Sequence, residues 1–256
     1  MSIRFENVTK TFGPKRILED FSFEVATGEI LFVLGKSGMG KSVTLKHIVG
    51  VMKPDRGHVY VDEQNIPQLD EHQLADVRRK CGMVFQHPAL LDSLTVFENV
   101  AFGLRTPQFV RSLPRALTEA EIQERVREKL ALVHLGPEIL HRMPPEISYG
   151  MQKRVSLART LAPEPRYLLF DEPTTGLDPI TTNAVNDLIY ELSRKLKVTS
   201  IVVSHDMACA LKIADRILVL DQARILALDS VEAIKRSEKP LIRDFLSEAL
   251  TLEGIG

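Results

Sequence analysis

Eight residues, Gly35-Lys36-Ser37-Gly38-Met39-Gly40-Lys41-Ser42, constrain this chain more than any others. They fit the pattern G-x-x-x-x-G-K-[ST] and lie between an apolar run, Ile30–Leu34, and a helical pattern that starts at Ser42 and reaches Val49. That setting matters, because the loop works only where a strand delivers the chain to a helix N-terminus. Glycines there let the backbone curl until successive N–H groups face one anion, and the helix dipole adds positive potential. Gly35, Ser37, Gly38, Gly40 and Val43 are therefore expected around a bound triphosphate. Lys41 is expected on its β- and γ-phosphates, and the Ser42 hydroxyl on Mg²⁺.

A second motif supplies what a phosphate cradle lacks. Tyr167-Leu168-Leu169-Phe170-Asp171-Glu172 is an apolar run ending in two carboxylates. A parallel strand buried on both faces reads this way, with its acids emerging at the C-terminal edge of the sheet. Asp171 is expected to hold the Mg²⁺ through water, and Glu172 to orient or deprotonate the attacking water. Together the two motifs predict a P-loop nucleotide triphosphatase.

Around them, strand and helix patterns alternate. Ile3–Val8, Phe21–Val25, Ile30–Leu34, His58–Val61, Gly82–Phe85, Arg166–Phe170, Thr199–Val203 and Arg216–Leu220 read as strands. Asp70–Arg79, Thr181–Lys195 and Met207–Ile213 read as helices. Between residues 87 and 163 the pattern turns mostly helical: Thr118 and Glu121 form a capping box ahead of Glu119–Leu135, and Pro144-Pro145 breaks the chain before Tyr149–Leu161. The expected fold class is α/β, a RecA-like, mostly parallel sheet with an N-terminal antiparallel β subdomain and an inserted α-helical subdomain. The whole of 1–256 reads as one domain, with its core at 1–86 and 164–256 and the insert at about 87–163. The basic residues of Arg125–Lys129 read as a solvated helix face, and the tail from Thr251 as loose.

Composition then excludes several functions. The 33 Lys and Arg nearly balance the 34 Asp and Glu, for a net charge of -1, so the basic excess of a nucleic-acid binder is missing. No run approaches the roughly 20 apolar residues of a spanning helix. Two cysteines, Cys81 and Cys209, make neither a disulfide framework nor a metal site and read as small buried residues. The N-terminus lacks the apolar segment of a secretory signal, so a cytoplasmic address is expected.

Further motifs narrow the reading. Ile147-Ser148-Tyr149-Gly150-Met151-Gln152-Lys153-Arg154 resembles the LSGGQ signature of ABC (ATP-binding cassette) ATPases. Gln86, after Gly82–Phe85, is similar to the family's Q-loop, Gly176-Leu177-Asp178 to its D-loop, and Ser204-His205-Asp206 to its switch histidine. Phe12 lies where the family stacks an aromatic on adenine. The order and spacing of these motifs agree over essentially the whole chain. The resemblance implies that Glu172, His205, Lys41 and Gln86 carry catalysis, and that Phe12, Ser148, Gly150 and Asp178 join the phosphate loop in binding ATP. It also implies that Ser42, Gln86 and Asp171 serve Mg²⁺. Met151 replaces the usual Gln and Tyr149 the first Gly, and glycine is used where backbone approaches phosphate closely. Slow hydrolysis without partners is expected from Tyr149.

The segment Ala89–Phe102, together with Met151, resembles the Mla/Mkl-type ATPases of MCE-linked phospholipid transport. That resemblance implies a homodimer with two ATP between facing P-loops and signatures, on the cytoplasmic face of the inner membrane. It implies a separate permease docking near Gln86–Leu94, an MCE-domain substrate-binding protein and a small STAS-type regulator, with no nucleic acid. Two other readings compete with lipid transport: the ATPase of an unrelated importer, such as one for amino acids, and a soluble ABC protein acting on nucleic acid or ribosomes.

Overall fold

Five consecutive apolar residues are satisfied by a strand covered on both faces, and β3 (Ile30–Leu34) lies wholly buried inside a six-stranded sheet. The structure, a computed structural model, describes residues 2–252. The sheet order is β10 (Arg224–Ser230), β9 (Arg216–Asp221), β3, β8 (Thr199–Ser204), β7 (Tyr167–Asp171), β6 (Cys81–Val84). From β9 to β6 the strands are parallel, and β10 returns antiparallel along β9. A second, antiparallel sheet has the order β2 (Lys15–Val25), β1 (Ile3–Phe12), β4 (Arg56–Val61), β5 (Gln64–Asn65).

The period of two along each strand divides the interior into two cores. Leu31, Val33, Leu169, Ile201, Val203 and Leu218 face the antiparallel sheet, and with it α1 (Lys41–Ile48) and α2 (Glu71–Lys80). Phe5, Phe21 and Phe23 cluster there, with Phe5 and Phe23 stacked at 4.6 Å. Ile30, Phe32, Leu168, Phe170, Val202 and Val219 face the other way. That second core takes in α3 (Val96–Ala101), α4 (Pro107–Arg111), α5 (Glu119–Leu132), α6 (Tyr149–Leu161) and α7 (Pro179–Leu196). It closes with α8 (Met207–Ile213), α9 (Val231–Lys235) and α10 (Pro240–Leu252). Each large apolar side chain buried in these cores contributes roughly 1.5–3 kcal/mol. Cys81 and Cys209 are buried free thiols within them, as expected.

The mixed architecture is the one expected, but several elements differ from their sequence patterns. β1 and β2 are longer than predicted, because register shifts at Phe5/Val8, Val8/Lys10 and Lys10/Thr11 interrupt the alternation that marks a strand. β10 was not expected. The turn before it, Gln222-Ala223, has positive φ at both residues (44° and 67°), a conformation usually advertised by Asn-Gly or Gly-Gly. The predicted helices at 70–79 and 181–195 form as α2 and α7, capped by Asp70 in a capping box with Gln73 and by Asp178 ahead of Pro179. Lys129 departs from its expected solvated face: it is 4% exposed, and its ammonium sits 3.2 Å from Glu164, joining α5 to the turn after α6. Thr251 belongs to α10 rather than to a loose tail, and residues 253–256 lie outside the described residues.

Gly57 marks the bulge between β1 and β4. Its φ is +83°, and a Cβ there would run into the carbonyl oxygens of Glu6 and Asn7. Gly57→Ala is expected to cost roughly 1–3 kcal/mol of unfolding free energy. Urea denaturation checks this, and an unchanged midpoint would contradict it.

Candidate active site

β3 ends at Leu34 and the chain turns through Gly35–Gly40 into α1, making the floor of a cleft of about 660 Å³. Two glycines do conformational work: Gly38 at φ +77° and Gly40 at +100° hold the left-handed backbone that an L side chain resists. A Cβ at Gly40 would also come within 2.8 Å of Ile17 Cγ2. Gly35 has a packing role instead, since a Cβ there would meet the Leu220 carbonyl oxygen at 2.7 Å. The cleft wall comprises Phe12, Ile17, Lys36–Gly38, Gly40–Val43, Gln86, Glu172, Thr175 and His205, with Phe245 and Glu248 from α10.

Lys41 is 6% exposed, and its ammonium donates to the carbonyl oxygens of Gly35 (2.7 Å) and Lys36 (3.2 Å). It also pairs with Glu172 Oε1 at 3.2 Å. Strand alternation places the two acids apart. Asp171 follows Leu169 on the α1 side, where its Oδ1 accepts from Ser42 Oγ at 2.6 Å. Glu172 leaves the strand at φ 49°, a left-handed conformation uncommon for a residue with a Cβ, and its N–H still reaches the Val203 carbonyl (2.9 Å). That turn aims its carboxylate back over the cleft, where Oε2 meets His205 Nδ1 (2.8 Å) and accepts from Thr175 Oγ1 (3.2 Å).

The Glu172–His205 pair shifts both groups. Burial pushes the Glu172 carboxyl up, but the His205 bond and the charges of Lys41 and His205 outweigh it, so the carboxyl lies below its ordinary value of 4.5. The Glu172 bond raises His205 above 6.5 against the opposing effect of burial. His205⁺ therefore contributes fully at low pH and is lost as pH rises through its raised value. The Glu172⁻ contribution is full above 4.5 and is lost as pH falls through the depressed value. Imidazole proton shifts followed by NMR should show His205 titrating above 6.5, and Glu172→Gln should return it toward 6.5. An unmoved midpoint in that variant would contradict the pairing.

Phe12 is 45% exposed, with Lys10 Nζ 5.7 Å from its ring centre, so its face is open rather than packed into a core. Ser42 Oγ and Asp171 Oδ1 stand 2.6 Å apart and Gln86 lines the same cleft as Ser42; these are hard oxygen donors, a chemistry that fits Mg²⁺ better than a soft metal. Ser148, Gly150 and Asp178 do not line this cleft. Ser148 caps α6 by accepting from Met151 N–H (3.3 Å), and Asp178 caps α7 through Ile180 and Thr181 N–H. Tyr149 turns toward its own chain, its hydroxyl 3.3 Å from His87 Nδ1. Sequence reasoning missed Phe245 and Glu248. The helical spacing of Ile242, Phe245 and Ala249 could have marked a helix that the sequence reading did not propose, and nothing local marks that it reaches this cleft.

α2, β6, the segment 102–109 and the end of α6 enclose a second groove of about 450 Å³. Its walls include Arg78, Met83, Phe102, Phe109 and Arg159. Arg159 also donates to the carbonyl oxygens of Ala89 (2.7 Å) and Pro88 (3.3 Å), just past Gln86.

Known proteins place this geometry. The family described as ABC transporter matches residues 18–175. The chain is 36% identical over 247 residues to the probable ribonucleotide transport ATP-binding protein mkl of Mycobacterium tuberculosis, spanning 96% of this chain and 67% of that protein. It is 39% identical over 254 residues to the sulfate/thiosulfate import ATP-binding protein CysA of Rhodopseudomonas palustris, spanning 98% and 70%. Its fold matches the ATP-binding cassette MJ0796, solved as a dimer in a post-hydrolysis state with ADP and Pi. The TM-score is 0.79 at 32% identity, over 90% of this chain and 98% of that one. With its P-loop, its paired acids and its histidine gathered at one cleft, the chain belongs to the ABC transporter family as an ATP-binding subunit, and ATP hydrolysis is its activity.

Proposed function

We propose that the chain powers a transporter carrying phospholipid or another hydrophobic lipid across the cell envelope, as a homodimer on the cytoplasmic face of the inner membrane. The observation that carries the hydrolytic mechanism is the Glu172 carboxylate, held between Lys41 (3.2 Å) and His205 (2.8 Å) above the phosphate loop. Lys41 exchanges its loop carbonyls for the β- and γ-phosphates, so that its ionised donor gains an ionised acceptor in place of a neutral one. Glu172 orients and deprotonates the attacking water, and His205 holds Glu172 and the γ-phosphate in line. Gln86 reports on the γ-phosphate, and Phe12 stacks on the base. Mg²⁺, held by Ser42, Asp171 and Gln86, would neutralise charge between the β- and γ-phosphates. Residues 1–86 and 164–256 act as the nucleotide-binding core, and 87–163 as a helical arm that carries the signature.

Ser148 and Gly150 lie outside their own cleft, which accords with service across a two-fold axis to the partner's nucleotide. Among the described residues no helix is long and apolar enough to cross a membrane, so the lipid path is assigned to a separate permease. An element of that permease fits the 450 Å³ groove, from which Arg159 reaches the segment after Gln86. An MCE-domain protein and a small STAS-type regulator complete the assembly. The resemblance of the Ala89–Phe102 segment and Met151 to the Mla/Mkl-type ATPases favours lipid, while the relatives mkl and CysA are named for ribonucleotide and sulfate/thiosulfate transport. Affinity purification of the tagged chain from detergent-solubilised native membranes, followed by lipid analysis, tests this. A multi-span permease with enriched phospholipid is expected, and a periplasmic amino-acid- or sulfate-binding partner would overturn it.

Tyr149 bears on the rate. Its ring turns toward His87, but its Cβ stands where the signature's glycine would leave the backbone bare for the partner's phosphate. Tyr149→Gly is expected to raise steady-state ATP hydrolysis several-fold, while an unchanged or lower rate would count against a restraining role.

A further inference from the structure

Lys153 lies one turn into α6 and is 5% exposed, yet among the described residues it forms no ion pair with a carboxylate. Its ammonium donates to the backbone carbonyl of Gln86 and to that of Pro173, the latter at 3.0 Å. The Tyr149 ring centre stands 5.6 Å away. The small cavity beside it is lined by Val84, Leu157 and Phe170, by α7 residues such as Leu188, and by the neighbouring Arg154. Burial holds the ammonium down to about 8, so its charge is costly to keep. An apolar residue would fill this site without that desolvation cost.

What the charge obtains is a connection between three segments. Gln86 lines the nucleotide cleft, Pro173 follows Glu172 directly, and α6 begins at the signature residue Ser148. Arg159, further along the same helix, holds the carbonyls of Pro88 and Ala89. One helix thus grips the chain after β6 at both ends, and Lys153 alone of these two also grips the Glu172 loop. We propose that Lys153 is a positioning residue for hydrolysis, fixing the backbone at Gln86 and beyond Glu172 to the signature helix so that the three move as one unit when the dimer closes. Acting through backbone, it sets where Gln86 and Glu172 present their side chains and touches neither nucleotide nor water. The inference rests on the role proposed above for Glu172.

The test uses the full chain with Mg-ATP. Lys153→Met keeps the stem and removes the donor. It should lower kcat about a hundredfold, the scale of a misplacement near 1 Å, with KM for ATP within about twofold of the parent. Its melting temperature should change little, because the desolvation cost removed with the buried charge offsets the two backbone carbonyls left without that donor. Lys153→Arg, which keeps charge and donors, should hydrolyse faster than Lys153→Met. Full turnover in Lys153→Met, or a fall in melting temperature and KM in step with kcat, would overturn the proposal. Glu172→Gln run in parallel separates the two levels. If it loses turnover while Lys153→Met keeps it, the positioning role alone fails. If it keeps turnover, the hydrolytic role assigned to Glu172 fails instead.

Discussion

Glu172→Gln is expected to abolish steady-state ATP hydrolysis while leaving ATP binding intact. General-base assistance contributes roughly 10²–10⁴-fold, and the amide retains shape and hydrogen bonding but cannot accept a proton. The charge at stake is well defended: the carboxylate is only 15% exposed, meets Lys41 and His205, and is ionised well below neutrality. The substitution also removes an anion from a cleft that receives a triphosphate, so nucleotide affinity should hold or rise. If the proposed dimer closes around ATP, the variant should accumulate as an ATP-bound dimer, because hydrolysis no longer reopens it. Phosphate release and size-exclusion chromatography with ATP check both parts. Turnover within about tenfold of the parent would remove Glu172 from the role of base.

Lys41→Met should act at the earlier step, on binding. The Lys41 ammonium is engaged by two loop carbonyls and by Glu172. Each charge-assisted bond to phosphate is worth roughly 1.5–3 kcal/mol, so losing two of them should weaken ATP binding at least about a hundredfold. Fluorescent-nucleotide titration measures this. The substitution also leaves Glu172 with His205 as its remaining charged partner, so the Glu172 carboxyl should move upward. An unchanged affinity would mean that the loop backbone alone carries the phosphates.

The parts of the site that were legible in the sequence are local. Gly38, Gly40, Lys41 and Ser42 lie on one turn, and the conformation they need is written in their residue types. Asp171 and Glu172 follow an apolar strand whose period of two already separates their directions. α7 begins at Pro179 behind its Asp178 cap, two residues ahead of the Thr181 start expected from the sequence. Where the local signal was weak, the pattern failed. The β9–β10 turn uses Gln222 and Ala223 at positive φ, so no turn residue announced it.

Residue order alone made the family legible: a phosphate loop, two acids, a histidine after the next strand and a segment resembling the signature specify an α/β nucleotide-binding fold. Tertiary structure alone decided three further things. It brought Phe245 and Glu248 from the far end of the chain to the cleft, turned Tyr149 onto His87, and placed the Lys153 ammonium between two carbonyl oxygens. The physical reason is common to all three. A backbone carbonyl carries no mark of residue type, and a helix face records that it is buried but not against what. Such contacts come into being only when packing settles the distances between segments far apart in the chain.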